Sequence, residues 1–171
     1  MKSTEKRLQQ NILSVVDWLQ GTTKAKHIVL YGRSLGSGPS IYAASTRKVS
    51  GLIIQSGFLS VITTRLPIRI PYFDVFLNED VIAACPCPSL FIHGTKDSVV
   101  PFEHGHKLSR LASHLWGTCW LHGAGHNNID NNDHYRDEMM QSIQHFLSFI
   151  DPTSSPSLYI NHGLHLRRRI R

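Results

Sequence analysis

Apolar residues recur along this chain with two different periods. Leu8, Ile12, Val15, Val16 and Leu19 fall three or four residues apart, which predicts an amphipathic helix over about residues 4–20. Ser3 is placed to cap that helix, Glu5 to face its positive end and Gly21 to stop it. Residues 27–31, 51–55, 89–93 and 119–122 are instead short, nearly continuous apolar runs, the pattern of strands buried on both faces. Between and after them the helical period returns at about residues 35–46, 78–84, 102–111 and 135–150. Pro39 is tolerated in the first of these because it lies near the helix start. Met139, Ile143, Phe146, Leu147 and Ile150 form one face of the last. Residues 60–84 are less regular and include an apolar stretch from Leu66 to Phe76; beyond Pro152 periodicity stops.

Strands that alternate with helices pair in parallel through right-handed crossovers, so the predicted fold class is a three-layer α/β architecture with a mostly parallel sheet. Residues 1–150 read as one domain, and residues 151–171 as a basic tail expected to be disordered. In such sheets, functional groups gather beyond the C-terminal ends of the strands. That rule is a filter for every candidate residue.

Composition removes several functions. The net charge is +6, but Arg167, Arg168, Arg169 and Arg171 supply four of those charges, leaving +2 for the rest; no nucleic-acid partner is expected. Cys85, Cys87 and Cys119 are too few and too irregular for a disulfide framework, which points to reduced thiols and a cytoplasmic location. No run reaches the roughly 18 apolar residues of a membrane span, and the first residues lack the apolar core of a secretion signal. His122 and His126 are four apart, but the glycines between them deny a helical face for a metal. No metal and no cofactor is expected.

Gly32-Arg33-Ser34-Leu35-Gly36 sits between a predicted strand and a predicted helix, the setting in which a serine is forced out of the sheet on a tight turn. Such a turn is expected to leave no room for side chains at Gly32 and Gly36. The hydroxyl then lies at a helix N-terminus, with the Leu35 N–H as an oxyanion-hole donor. A serine needs a base. Among eleven histidines, His126 fits best, in a glycine-rich loop just past a strand. His122 is expected to face the sheet or solvent, His93 to pack at a strand end, and His104 and His106 to lie on a helix surface. The acid that orients the imidazole is assigned to Asp97, past the third strand; Asp130 and Asp133 share the base's own loop and reach back awkwardly. The order Ser, Asp, His is that of the α/β-hydrolases.

Three blocks carry a resemblance: residues 31–39, with Tyr31-Gly32-Arg33-Ser34-Leu35-Gly36; residues 93–105, opening His93-Gly94-Thr95-Lys96-Asp97; and Gly123-Ala124-Gly125-His126-Asn127. From about residue 3 to residue 150 the chain resembles the α/β-hydrolase domain-containing protein 17 group, with the protein 13 group close by. The resemblance implies an α/β-hydrolase fold and serine hydrolase activity with Ser34 as nucleophile, Asp97 as acid and His126 as base. For the protein 17 group it implies removal of palmitate from cysteines of membrane-bound proteins, hence an acylated protein or lipid-like acyl substrate and peripheral membrane contact on the cytoplasmic face in a full-length form. Members of that group begin with further strands, a loop supplying a second oxyanion donor and a lipid-modified cysteine cluster. This chain is therefore expected to be an N-terminally shortened, C-terminal portion of the fold, as a fragment, a partial gene model or a short isoform. Two other functions stay open: a lipid esterase or peptidase-like hydrolase on the same fold, and a catalytically silent chain with an interaction role. Leu66–Phe76 is read either as the wall of an acyl-chain site or as ordinary core.

Overall fold

A computed structural model describes residues 4–64 and 75–153. Four strands, β1 (Val29–Arg33), β2 (Gly51–Gln55), β3 (Ser89–Gly94) and β4 (Leu115–Leu121), form one parallel sheet in the order β1-β2-β3-β4. Helix α1 (Glu5–Thr22) precedes β1. Helix α2 (Ser37–Thr46), the short α3 (Asn78–Val81) with a 3-10 turn at Ile82–Ala84, and α4 (Phe102–Leu111) make the three crossovers, and α5 (Asp133–Ile150) follows β4.

Strand order and chain order coincide, so crossovers of one hand all pass the same face of the sheet. The side chains agree. Leu52, Ile54 and Phe91 point into a cluster with Val16, Ile41, Ile82 and Leu108 from α1, α2, the 3-10 turn and α4. Their neighbours Ile53, Leu90 and Ile92 point the other way, against Met139 and Phe146 of α5. This alternation is the period of two imposed by the pleat, and it produces the predicted three layers. The inner strands β2 and β3 are buried along their whole length, which is why they read as continuous apolar runs. Each fully buried large apolar side chain gains ~1.5–3 kcal/mol from leaving water.

The limits of several elements differ from the sequence reading. α1 is capped by Thr4, whose side chain accepts from the Arg7 N–H, and it runs through Gly21 to Thr22. Val15 faces solvent, while Val16 is fully buried. β1 starts and ends two residues later than predicted, because Gly32 and Arg33 continue the pairing with Ile54 and Gln55. β4 begins at Leu115; the exposed Leu115 and Thr118, with Gly117 between them, hid its first half, and the β3–β4 register slips at Ser89/Leu90. α5 starts at Asp133 with Asn132 as its cap. The tail from residue 154 onward, and Leu66–Phe76 apart from Val75 and Phe76, lie outside the described residues. Phe76 itself is core, packed edge-on against Phe58.

Candidate active site

The C-terminal ends of β1, β3 and β4 meet at one place. Ser34 follows β1 directly, at the head of a 3-10 turn (Ser34–Gly36) that leads into α2. Its φ is +49°, a left-handed conformation that side chains rarely adopt. Such a residue persists only when its surroundings over-determine it. Part of that determination is Gly32, where a Cβ would stand 2.8 Å from the Gly36 carbonyl oxygen and 2.9 Å from the Ser37 Cα. Gly36 corrects the expectation: it has ordinary helical torsions, and a Cβ there would meet nothing within 4 Å. The tight approach uses the backbone of Gly36, not its missing side chain.

His126 lies in the loop between β4 and α5. That loop is pinned on either side of the imidazole by Ala124 and Ile129, both fully buried. His126 Nε2 is 3.0 Å from Ser34 Oγ, and its Nδ1 is 2.8 Å from Asp97 Oδ2. A carboxylate only accepts, so Nδ1 carries the proton and donates; in the neutral ring Nε2 then accepts from the serine hydroxyl. The three sequence-predicted residues are thus joined in one hydrogen-bonded line.

Asp97 is buried and fully engaged. Its Oδ1 accepts from the backbone N–H groups of Val99 at 2.9 Å and Val100 at 2.8 Å. His93 adds a further neighbour, its Nε2 lying 3.5 Å from Oδ2 and 2.9 Å from the Val100 carbonyl oxygen. Burial favours the protonated acid. The hydrogen bonds from His93, the Val100 N–H, His126 and the Val99 N–H outweigh it and hold the carboxyl well below the usual carboxylate range.

The other candidates are dispersed. Asp130 lies 3.9 Å from Arg33, and Asp133 pairs with Arg136 on the surface, so neither serves His126. His122 is exposed beside Thr95, as expected. His106 is exposed and stacked on Phe102. His104 is not a surface residue: it is buried, its Nδ1 accepts from the Leu59 N–H, and burial lowers its pKa. The approach of His93 to Asp97 was not foreseen. Its only signal was a histidine four residues before the acid, at the end of a strand. Among the described residues no group of three or more potential ligands could hold a metal, and no helix is long and apolar enough to cross a membrane.

The sequence profile of the phospholipase/carboxylesterase family matches residues 2–150. The chain belongs to this family of α/β-hydrolases. The chain is 34% identical over 151 residues to the alpha/beta hydrolase domain-containing protein 17C of Xenopus tropicalis, covering 85% of this chain and 48% of that protein. It is 32% identical over 148 residues to the human protein 17B, covering 83% and 51% respectively. The chain thus spans about half the length of the curated relatives it matches. Two solved α/β-hydrolases show the same fold. Est1E of Butyrivibrio proteoclasticus superposes with a TM-score of 0.70 at 20% identity, over 86% of this chain and 71% of its own. The monoacylglycerol lipase of Paleococcus ferrophilus gives 0.67 at 18%, over 87% and 77%. The family predicted from the three sequence blocks is therefore the family found, related to the protein 17 group.

Proposed function

We propose that this α/β-hydrolase is a serine hydrolase that cleaves acyl esters or thioesters, with palmitoylated proteins as its substrate class. The observation that carries the proposal is the unbroken line from Ser34 Oγ through His126 to Asp97, at 3.0 Å and 2.8 Å. Ser34 attacks the acyl carbonyl while His126 Nε2 takes its proton. Asp97 fixes the Nδ1–H tautomer and stabilises the imidazolium that forms. His126 then returns the proton to the leaving thiol or alcohol; a water that gives its proton to His126 next attacks the acyl-serine carbonyl, the bond to Ser34 Oγ breaks as His126 reprotonates it, and the free acid leaves. The Leu35 N–H follows the nucleophile in the 3-10 turn and serves as an oxyanion donor. The side chains of Leu35, next after Ser34, and Val99, two residues after Asp97, stand exposed and offer apolar surface to an acyl chain.

Thioester cleavage at palmitoylated cysteines, and with it peripheral contact with membranes, follows the likeness to the protein 17 group. The family's own description favours a second reading, a carboxylesterase or lipid esterase acting on oxygen esters. A fluorophosphonate probe tests the common mechanism: it should label the wild-type chain and leave Ser34→Ala unlabelled. Equal labelling of both would sink the assignment, and no labelling of either would favour a silent chain. Turnover of a palmitoyl thioester against the matching oxygen ester and a peptide then separates the readings.

A further inference from the structure

The loop that delivers His126 starts at β4, yet its target stands at the end of β1. Two strands lie between, so the loop crosses roughly 14 Å of sheet at the usual strand spacing. Its near end is tied to the β3 turn. The Gly123 N–H donates to Thr95 Oγ1 at 2.9 Å, and the Lys96 N–H donates to the Ala124 carbonyl at 2.8 Å. Its far end meets Arg33, the residue just before the nucleophile. Arg33 Nη2 donates to the main-chain carbonyl of His126 at 3.0 Å and to Asn127 Oδ1 at 3.3 Å. Its Nε lies 3.9 Å from Asp130 Oδ2.

We propose that Arg33 is a positioning residue: it clamps the loop bearing the base to the strand bearing the nucleophile, and so sets His126 Nε2 against Ser34 Oγ. The inference rests on the hydrolase reading above. The pleat of β1 supports it, because Tyr31 and Arg33 share one face while Gly32 lies buried on the other. The strand therefore sends Arg33 toward the passing loop while the next residue turns into the elbow. The guanidinium is a rigid fork of donors that can hold a peptide carbonyl and a side-chain amide together, which a lysine ammonium on its flexible stem does less well. What it grips is the backbone of the base itself. The Asp130 contact is long and half-exposed, so it adds little. The two bonds to neutral acceptors carry the clamp, and salt should not release it.

Two measurements on the full 171-residue chain test this. Hydrogen–deuterium exchange of residues 123–130 should quicken in Arg33→Ala, while β2 and β3 keep their wild-type protection. Fluorophosphonate labelling of Ser34 should slow by about 10–100-fold in Arg33→Ala, the scale of a misplacement near 1 Å. Arg33→Lys should recover part of that rate, and it replaces the alanine variant if that variant does not fold. In 0.5 M salt, about the range that screens exposed pairs strongly, the wild-type rate should persist. Wild-type exchange in the loop of Arg33→Ala, or of Arg33→Lys where it stands in for an alanine variant that does not fold, overturns the clamp. So does an unchanged labelling rate in both, or a lysine variant as slow as the alanine variant despite folding normally. A wild-type chain that fails to label overturns the hydrolase reading instead, and the exchange measurement still decides whether Arg33 holds the loop.

Discussion

Asp97 shows how one side chain can be buried and still remain charged. Four groups hydrogen-bond or lie close to its two oxygens: the Val99 and Val100 N–H groups, His126 and His93. With the folded pKa held down, the charged form stabilises the native state at pH values above the unfolded pKa of about 3.9. That stabilisation is lost as the pH falls through the folded value. Asp97→Asn removes the titration, so acid unfolding of the variant should depend less steeply on pH below about 4. Urea midpoints between neutral and acid pH would read the difference, and parallel curves would contradict it. On the hydrolase reading the same change leaves the wrong tautomer at His126 and should cost on the order of 10⁴ in kcat, as in other triads. Asp97 was legible because an acid past the third strand satisfied both chain order and sheet topology. His93 was not, because nothing in the spacing of a strand-end histidine says which neighbour its ring will face. The two glycines of the elbow looked equivalent in sequence, yet only Gly32 meets a steric limit.

Among the elements, β3 and the histidine loop meet backbone to backbone. A Cβ at Gly94 would fall 2.4 Å from the Ala124 carbonyl oxygen, which is backbone and cannot swing aside. Gly94→Ala should therefore lose about 1–3 kcal/mol, the usual cost of overpacking. On the hydrolase reading it should also slow Ser34 labelling, since Ala124 is two residues from His126. Chemical denaturation checks the first effect and probe kinetics the second; a neutral variant would show that the loop can retreat. Most helices and both inner strands were readable, because burial on one face or on both imposes a period. β4 was read short because Leu115 and Thr118 are exposed and Gly117 interrupts the apolar run. β1 was displaced because a glycine and an arginine looked like the end of a strand that pairing in fact extends.

Across the whole molecule, the three cysteines are buried in the two layers of core, Cys85 and Cys87 on the α2 side and Cys119 on the α5 side. Burial pushes the Cys85 thiol up to about 12 and Cys119 up to about 11, and it raises Cys87 as well. The Cys85 thiol donates to the Ile41 carbonyl, which needs the proton in place. Raised folded values mean that the unfolded chain gives up its thiol protons first. Stability is therefore full below the unfolded pKa of about 8.5 and is lost as the pH rises toward the folded values. Iodoacetamide at about pH 9, just above that unfolded value, should modify the native chain slowly and the urea-unfolded chain at all three thiols. Equal rates would show that the core opens readily.

Period and order along the chain carried the three-layer fold and singled out Ser34, Asp97 and His126 as candidates, because a parallel sheet with crossovers of one hand leaves few ways to place strand ends; the resemblance in the three motif blocks carried the family. Distance between residues far apart in sequence is not encoded locally. The 3.0 Å contact of His126 with Ser34 and the grip of Arg33 on the histidine loop each join the end of β1 to the loop after β4, more than ninety residues along the chain, and only the assembled sheet brings those ends together.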